Sequence, residues 1–205
     1  RREMDGGKFT GSDFSRTTLF ARALSFADTD KSKNFAYVDF EDDFNVSSIQ
    51  DAALAFGIKI IRSFHDMKGP VQNLRERLSK MRKTGYEIPK IAFLPRSLSD
   101  VENLFREASQ IKDFDFILCA MGVEGFPSRL LPAFSNSYLT FVSPKEVIEH
   151  TKFLGHIDPM SLQEIYNFNS ISKETALYGL TAWPTIENSV VQMQNKFFKD
   201  KNLNA

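Results

Sequence analysis

Lys90 is the residue of this sequence best suited to do chemistry. It lies in the apolar run of residues 86–95, which has a proline near each end and is typical of a buried strand. Lysine is rarely buried without a partner, and burial lowers its pKa and increases the fraction of neutral amine. A neutral amine shielded from water can attack a carbonyl carbon and form a Schiff base. The alternative is a lysine whose ammonium group reaches solvent or pairs with a carboxylate.

Three more polar residues are placed where they can serve the same chemistry. Glu41 and His65 fall on, or at the ends of, the two strands predicted before the Lys90 strand, and Arg129 lies in the loop after the strand that follows it. An imidazole can act as both base and acid because its pKa is near neutrality. The alternatives are a core histidine with satisfied hydrogen bonds, a solvated carboxylate at a strand end and a surface arginine at a helix N-terminus.

The elements that must position these residues alternate between strand and helix. Strands are predicted over residues 35–41, 59–65, 86–95, 115–121 and 138–142. Helices are predicted over residues 47–56, 71–83, 99–112, 161–168 and 186–198, with residues 175–181 extended. This alternation predicts an α/β fold with a parallel sheet, either a (β/α)8 barrel or a doubly wound sheet. The barrel is favoured because its active sites gather at the carboxyl ends of its strands, and because no nucleotide-binding glycine motif follows any strand.

Composition restricts the class of function. Of the 205 residues, Lys and Arg together number 26, as do Asp and Glu together, so the net charge is about zero. This balance argues against a nucleic-acid or membrane-surface role that depends on bulk charge. Cys119 is the only cysteine and cannot form an internal disulfide, so we expect a cytoplasmic protein. No apolar stretch reaches the roughly 18 residues of a transmembrane helix, and no ligand spacing predicts a metal site.

Several short motifs along the chain resemble those of one enzyme family. They are Arg1-Arg2-Glu3-Met4-Asp5-Gly6-Gly7, Val38-Asp39-Phe40-Glu41, Ile61-Arg62-Ser63-Phe64-His65-Asp66, Pro89-Lys90-Ile91-Ala92-Phe93-Leu94-Pro95, Met121-Gly122-Val123-Glu124-Gly125-Phe126-Pro127-Ser128-Arg129 and Thr140-Phe141. In this order and spacing they resemble type I 3-dehydroquinate dehydratase, the Schiff-base dehydroquinase of the shikimate pathway. The resemblance covers residues 1–142 and implies a (β/α)8 TIM barrel.

The resemblance also implies a mechanism. Lys90 would form an imine with the ketone of 3-dehydroquinate, and His65 would move protons so that water leaves. Glu41 would orient His65, while Arg129 and Arg1 would bind the carboxylate or hydroxyl groups of the substrate. The family uses no metal and no organic cofactor, and its habit of dimerising suggests a homodimer.

The chain departs from the family pattern in two places before residue 160. Nothing corresponds to the first two strands of the barrel, and the sequence starts at Arg1 without Met, so we expect that an N-terminal part is missing. The family's Ser-Ala-Pro-Gly-Gln lid corresponds to Lys152-Phe153-Leu154-Gly155-His156. Lys152 and His156 can still hydrogen-bond a polar substrate, or they mark relaxed specificity or lost activity.

The C-terminal part carries a second, weaker resemblance. Tyr178-Gly179-Leu180-Thr181-Ala182-Trp183-Pro184 resembles the opening of shikimate dehydrogenase, although the serines that bind shikimate in that family are absent here. We therefore expect residues 1–160 to form the N-terminally incomplete barrel and residues 161–205 a helical extension without a second activity. Two alternatives to the dehydratase stay open: a non-catalytic relative that binds a metabolite of the pathway, and another Schiff-base lyase or aldolase on the same barrel.

Overall fold

The structure, a computed structural model, describes residues 1–148, 154–180 and 188–205 and contains one sheet of four parallel strands in the order β1-β2-β3-β4. The strands are β1 Tyr37–Glu41, β2 Lys59–Asp66, β3 Ile88–Phe93 and β4 Ile117–Ala120. The helices are α1 Asp13–Leu24, α2 Ser47–Ala55, α3 Leu74–Met81, α4 Leu98–Ser109, α5 Pro127–Leu130, α6 Pro132–Ser135, α7 Pro159–Tyr166 and α8 Asn188–Asp200. Short 3₁₀ turns lie at Glu3–Asp5, Lys31–Lys33, Lys145–Val147 and Phe168–Ser170. One helix joins each neighbouring pair of strands, which confirms the predicted α/β alternation.

The two faces of the sheet are buried in different ways. On the outer face, apolar side chains of the strands pack against α1–α4 in two clusters, which include Phe40 and Ile60 in one and Ile91 and Leu118 in the other. On the inner face, isoleucines of β2, β3 and β4 form a smaller cluster: Ile61, Ile88 and Ile117. Successive side chains of a strand point to opposite faces, so these strands read as nearly continuous apolar runs, as is usual for parallel sheets.

The strand register brings the chemically active positions into one region of the inner face. Glu41 on β1 lies opposite Ser63 on β2, and Ser63 lies opposite Lys90 on β3. His65 follows two residues after Ser63 and lies opposite Ala92. Because alternate residues share a face, Asp39, Glu41, Ser63, His65 and Lys90 all belong to the inner face of the sheet.

The predicted strand over residues 138–142 is wrong. The segment makes a single parallel bridge, between Phe116 and Ser137, and the Tyr138 amide donates to the Phe116 carbonyl at 2.7 Å. The Thr140 hydroxyl then donates to the carbonyl of Arg129, a bond to helix α5 rather than to a strand. Leu139 and Phe141 still pack against the isoleucine cluster of the inner face. The apolar pattern of the segment therefore reflects the burial of its side chains and not hydrogen bonding as a strand of the sheet.

Helix α1 is not among the predicted elements. Its sequence contains the β-branched pair Thr17 and Thr18, which weakens helix propensity. Its first turn is nevertheless capped, because the Ser12 side chain accepts a hydrogen bond from the Ser15 amide. The sequence feature that could have predicted the start of this helix is a serine followed by an acidic first turn.

The C-terminal part packs through α7 and α8, where the Asn195 side chain donates to the Ile165 carbonyl at 2.8 Å. Residues 175–180, predicted to be extended, pair with no strand among the described residues, and Thr181 lies outside them. The segment begins with contacts to the C-terminal end of the chain, since the Ala176 amide donates to the Asn204 carbonyl. Within the described part of the chain, no helix is long and apolar enough to span a membrane.

Candidate active site

Lys90 is buried on the inner face, with 3% of its surface exposed, and it is paired with a carboxylate. Its Nζ donates a 2.8 Å hydrogen bond to Oδ2 of Asp39 and lies 4.0 Å from the centre of the Phe141 ring. Burial lowers the pKa of Lys90, and the charge of Arg1 lowers it further, whereas Asp39 acts in the opposite direction. The amine therefore loses its proton more readily than an exposed lysine does.

Asp39 was quoted in a motif but given no role by the sequence. Burial raises its pKa, but the charge and hydrogen bond of Lys90 outweigh this effect, and the pKa of Asp39 is lowered overall. The carboxylate is thus ionised at neutral pH and holds the ammonium group of Lys90 in place. Arg1 approaches the same oxygen at 3.5 Å.

His65 lies beside this pair with a buried imidazole. Neither of its ring nitrogens has a hydrogen-bond partner among the described residues. Burial lowers the pKa of His65 to about 3, with further contributions from the charges of Arg1 and Lys90. The ring is neutral at physiological pH, so it has an unprotonated nitrogen that can accept a proton.

Glu41 does not contact His65 as the resemblance implied. Its carboxylate instead accepts a 3.2 Å hydrogen bond from Arg16, a buried arginine on α1. Arg16 also contacts Asp13 at 3.1 Å and lies over the Phe44 ring. A buried guanidinium requires an anionic partner, and Glu41 is the buried carboxylate that supplies it.

Arg129 is buried on α5 and faces β4. Its Nη1 contacts the Cys119 sulfur at 3.1 Å, and its Nη2 donates to the Leu154 carbonyl at 2.9 Å. Its Nε has no hydrogen-bond partner in the described structure. The loop before α5 is fixed by Ser128, whose hydroxyl bonds to the backbone of Ala120 and Gly125. Nε–H and a second N–H on each Nη therefore have no hydrogen-bond acceptor among the described residues and can serve an anionic ligand.

Of the two predicted lid residues, His156 lies close enough to Arg129 for the arginine charge to act on its ring. Lys152 lies outside the described residues. His156 is half-buried, and its Nδ1 is 2.6 Å from the hydroxyl of Ser143. Burial lowers the pKa of His156 to about 4, assisted by the charges of Arg129 and Lys90, so this ring is also neutral at physiological pH.

The structure brings five of the predicted site residues into one region: Lys90, His65, Arg1, Arg129 and His156. The charges of Arg1 and Lys90 lower the pKa of His65. The charges of Arg129 and Lys90 lower the pKa of His156. The structure places Glu41 on the same face of the sheet, but the Glu41 carboxylate is bonded to Arg16 and not to His65. Sequence reasoning missed Asp39, Arg16 and Ser143. The described residues contain no group of three or more histidine, cysteine or acidic side chains arranged to hold a metal ion.

Comparisons with known proteins place the chain among related sequences. It is 32% identical over 146 residues to the 3-dehydroquinate dehydratase of Methanosarcina mazei, covering 68% of this chain and 58% of that protein. It is 25% identical over 211 residues to the bifunctional 3-dehydroquinate dehydratase/shikimate dehydrogenase of Arabidopsis thaliana, covering all of this chain and 33% of that protein. The chain therefore spans little more than half of the first relative and a third of the second.

Solved structures give the same result. The type I 3-dehydroquinate dehydratase of Clostridium difficile, solved with covalently modified comenic acid, superposes with a TM-score of 0.66 at 25% identity, covering 84% of this chain and 68% of that one. The enzyme from Aquifex aeolicus shares the fold, with a TM-score of 0.59. These likenesses confirm the predicted (β/α)8 fold class. The family model for type I 3-dehydroquinase matches residues 1–173. The chain belongs to the type I 3-dehydroquinase family.

Proposed function

We propose that this protein dehydrates 3-dehydroquinate to 3-dehydroshikimate through a Schiff base on Lys90. The observation that carries the proposal is the buried Lys90 amine, which has a lowered pKa and lies on the same face as a neutral imidazole, His65. The relatives named above carry this activity in their names, and the chain shares their family.

The first step forms a carbon–nitrogen bond. The Lys90 ammonium gives a proton to Asp39, and the neutral amine attacks the ketone carbon. The carbonyl oxygen takes one proton from the amine and the proton returned by Asp39 and leaves as water, so that a protonated imine remains. This iminium withdraws electrons and acidifies the hydrogen on the neighbouring carbon. Asp39 supports the step, because its carboxylate holds the amine and can accept the proton that the amine releases.

The second step breaks a carbon–hydrogen and a carbon–oxygen bond. His65 takes the acidified proton, and the electron pair forms an enamine with the Lys90 nitrogen. The enamine then expels the hydroxyl group on the next carbon, to which His65 returns the proton, so that water leaves. Hydrolysis of the imine releases the product and restores the amine.

The remaining predicted residues have binding roles in the proposal. Arg129, whose Nε is unpartnered, binds the substrate carboxylate, and Arg1, Lys152 and His156 contact its carboxylate or hydroxyl oxygens. Glu41 lies on the neighbouring strand, and its proposed role of orienting His65 requires its carboxylate to be shared between Arg16 and the imidazole. We also propose that the protein is cytoplasmic, acts as a homodimer without a metal or organic cofactor, and binds neither nucleic acid nor membranes.

One specific observation favours the alternative of a non-catalytic metabolite-binding domain. Glu41 and two of the three Arg129 nitrogens are engaged by protein groups, so the site contains fewer free polar groups than the family mechanism uses. Replacing Lys90 by Ala distinguishes the two functions. We expect the variant to lose all measurable turnover of 3-dehydroquinate, whereas a binder shows no turnover in the parent protein and keeps most of its affinity in the variant.

The Lys90 experiment needs a control for misfolding, because the substitution removes the 2.8 Å partner of Asp39 and leaves this carboxylate only the longer contact with Arg1. The double variant Lys90→Met/Asp39→Asn replaces the ion pair with neutral groups of similar size. Lys59→Met, at the exposed start of β2, is the matched control. We expect the double variant to unfold like the parent protein but to be inactive, and the control to keep full turnover.

A further inference from the structure

Ser143 and His156 form a hydrogen-bonded pair next to the proposed site. The Ser143 hydroxyl lies 2.6 Å from Nδ1 of His156, and Ser143 is almost fully buried. The Ser143 amide also donates to the carbonyl of Ile157 at 3.0 Å. The segment that carries Ser143 is therefore bonded both to the ring of His156 and to the backbone next to it.

Two further contacts fix the segment of residues 154–157, which we call the lid strip. The Leu154 carbonyl accepts a hydrogen bond from Nη2 of Arg129 at 2.9 Å. Gly155 has a φ of +71°, and a Cβ at this position would meet the Gly122 carbonyl oxygen at 2.3 Å. The strip thus lies directly on the loop after β4, and only glycine fits at this point of closest approach.

The surroundings of the His156 ring indicate what it can bind. Arg129 and Lys90 both affect its titration, so the ring lies in the field of the two cations of the site. An anionic, oxygen-rich ligand is the occupant that these charges favour. A neutral imidazole that accepts a hydrogen bond at Nδ1 carries its proton on Nε2 and is then a hydrogen-bond donor to such a ligand.

We propose that Ser143 is a positioning residue: its hydroxyl donates to Nδ1 of His156 and selects the tautomer in which Nε2–H donates to an oxygen of the bound substrate. The identity of that substrate rests on the proposed function. A glutamine side chain at position 156 would offer an amide N–H without any tautomer to be selected. The serine is what allows a histidine to supply a donor at the same point.

The test compares steady-state kinetics of 3-dehydroquinate turnover in the whole protein and its variants. We expect Ser143→Ala to raise KM about fivefold, as for loss of one hydrogen bond, and to leave kcat within about twofold. Ser143→Thr keeps the hydroxyl and should restore at least half of the loss. Ser135→Ala is the matched control, because Ser135 is also buried but its hydroxyl donates to the carbonyl of Pro132 in its own helix.

The His156→Gln background makes the test independent of general destabilisation. Because glutamine supplies its own N–H, adding Ser143→Ala in this background should leave KM unchanged. A fall in kcat with KM constant, or the same rise in KM in both backgrounds, would overturn the proposal.

A second readout requires no activity. In ¹⁵N NMR spectra, His156 should show a protonated Nε2 in the parent protein and a mixture of tautomers in Ser143→Ala. A protonated Nδ1 in the parent protein would contradict the inference. If the parent protein turned over no 3-dehydroquinate, the proposed function would fail while this spectroscopic comparison still decided the role of Ser143.

Discussion

Lys90 reaches across β2 to Asp39: the two residues lie on β3 and β1, and their side chains meet at 2.8 Å over the strand between them. The pairing neutralises a buried ammonium group while leaving its pKa lowered, because burial outweighs the attraction of the carboxylate. A lysine held in this way is fixed in position and still able to become a neutral nucleophile.

The Asp39–Lys90 pair predicts a pH effect with a definite sign. Asp39 raises the pKa of Lys90, so Asp39→Asn should lower that pKa and shift the acidic limb of imine formation to lower pH. The measurement is the rate of borohydride-dependent inactivation with 3-dehydroquinate across pH. Asp43→Asn, which removes an exposed carboxylate bound to Arg2, should leave the limb in place. An unchanged limb, or a shift to higher pH, would show that Asp39 does not raise the pKa of Lys90.

Replacing His65 should stop proton transfer without preventing imine formation on Lys90. We expect His65→Asn to lower kcat by about 10²–10⁴-fold, because a positioned acid–base group contributes that much, while Lys90 is still trapped by borohydride. The measurement pairs turnover with mass spectrometry of the reduced protein. Loss of trapping together with turnover would mean that His65 is needed for the fold or for imine formation.

His65, which is buried, and His156, which is half-buried, should make the protein sensitive to acid. The pKa values of His65 and His156 in the folded state, about 3 and about 4, lie below the unfolded value near 6.5. Between these limits the unfolded chain binds more protons, so stability is full above about pH 6.5 and falls as the pH decreases toward 4 and 3. Each histidine should contribute up to about 1.4 kcal/mol per pH unit.

Urea unfolding at pH 7.5, 5.5 and 4.5 measures this slope. His156→Gln removes one titrating group and should flatten the fall in the free energy of unfolding below pH 6.5. An unchanged slope would contradict the assignment of His156 as a neutral ring in the folded protein.

The ion pair of Arg16 and Glu41 should be important for stability. Breaking a buried pair leaves an uncompensated charge, so Arg16→Met and Glu41→Gln should each cost about 3 kcal/mol, and the double variant less than the sum. Asp113→Asn breaks the exposed pair with Arg75 and should cost less than about 1 kcal/mol. Additive losses in chemical denaturation would show that Arg16 and Glu41 do not interact.

Gly155 offers a test of the lid strip in which strain and steric clash can be separated. Gly155→Ala combines a positive φ with a Cβ that would meet the Gly122 carbonyl oxygen, so it should displace the strip and raise KM at least about tenfold. Gly85→Ala has a similar φ of +82° but nothing within 4 Å, and it should affect stability alone. Equal KM values in the two variants would show that the contact with Gly122 does not matter.

The strands of the sheet could be predicted because each is an apolar run between turn signals, and the prolines near its ends delimit the Lys90 strand. The partner of Lys90 could not be predicted. Asp39 and Glu41 lie two residues apart and share one face, so strand periodicity does not distinguish them. The structure shows that Asp39 is the partner of Lys90. Glu41 is bonded instead to Arg16, which lies on helix α1, an element that the sequence did not predict.

The contact between Ser143 and His156 could not be predicted from the sequence either. Ser143 and His156 are thirteen residues apart in segments without periodic structure, and their contact depends on how both segments pack against the loop after β4. The expectation that the first two strands are missing and the boundary near residue 160 stay predictions. The motif at 178–184 lies partly outside the described residues.

Borohydride trapping with 3-dehydroquinate, followed by peptide mass spectrometry, tests the central claim most directly. Reduction converts the imine into a stable secondary amine on the lysine that formed it. We predict one adduct, on the peptide that contains Lys90, with dehydroshikimate formed in the untreated sample. Bound ligand with no adduct and no product would contradict the account and favour a metabolite-binding domain.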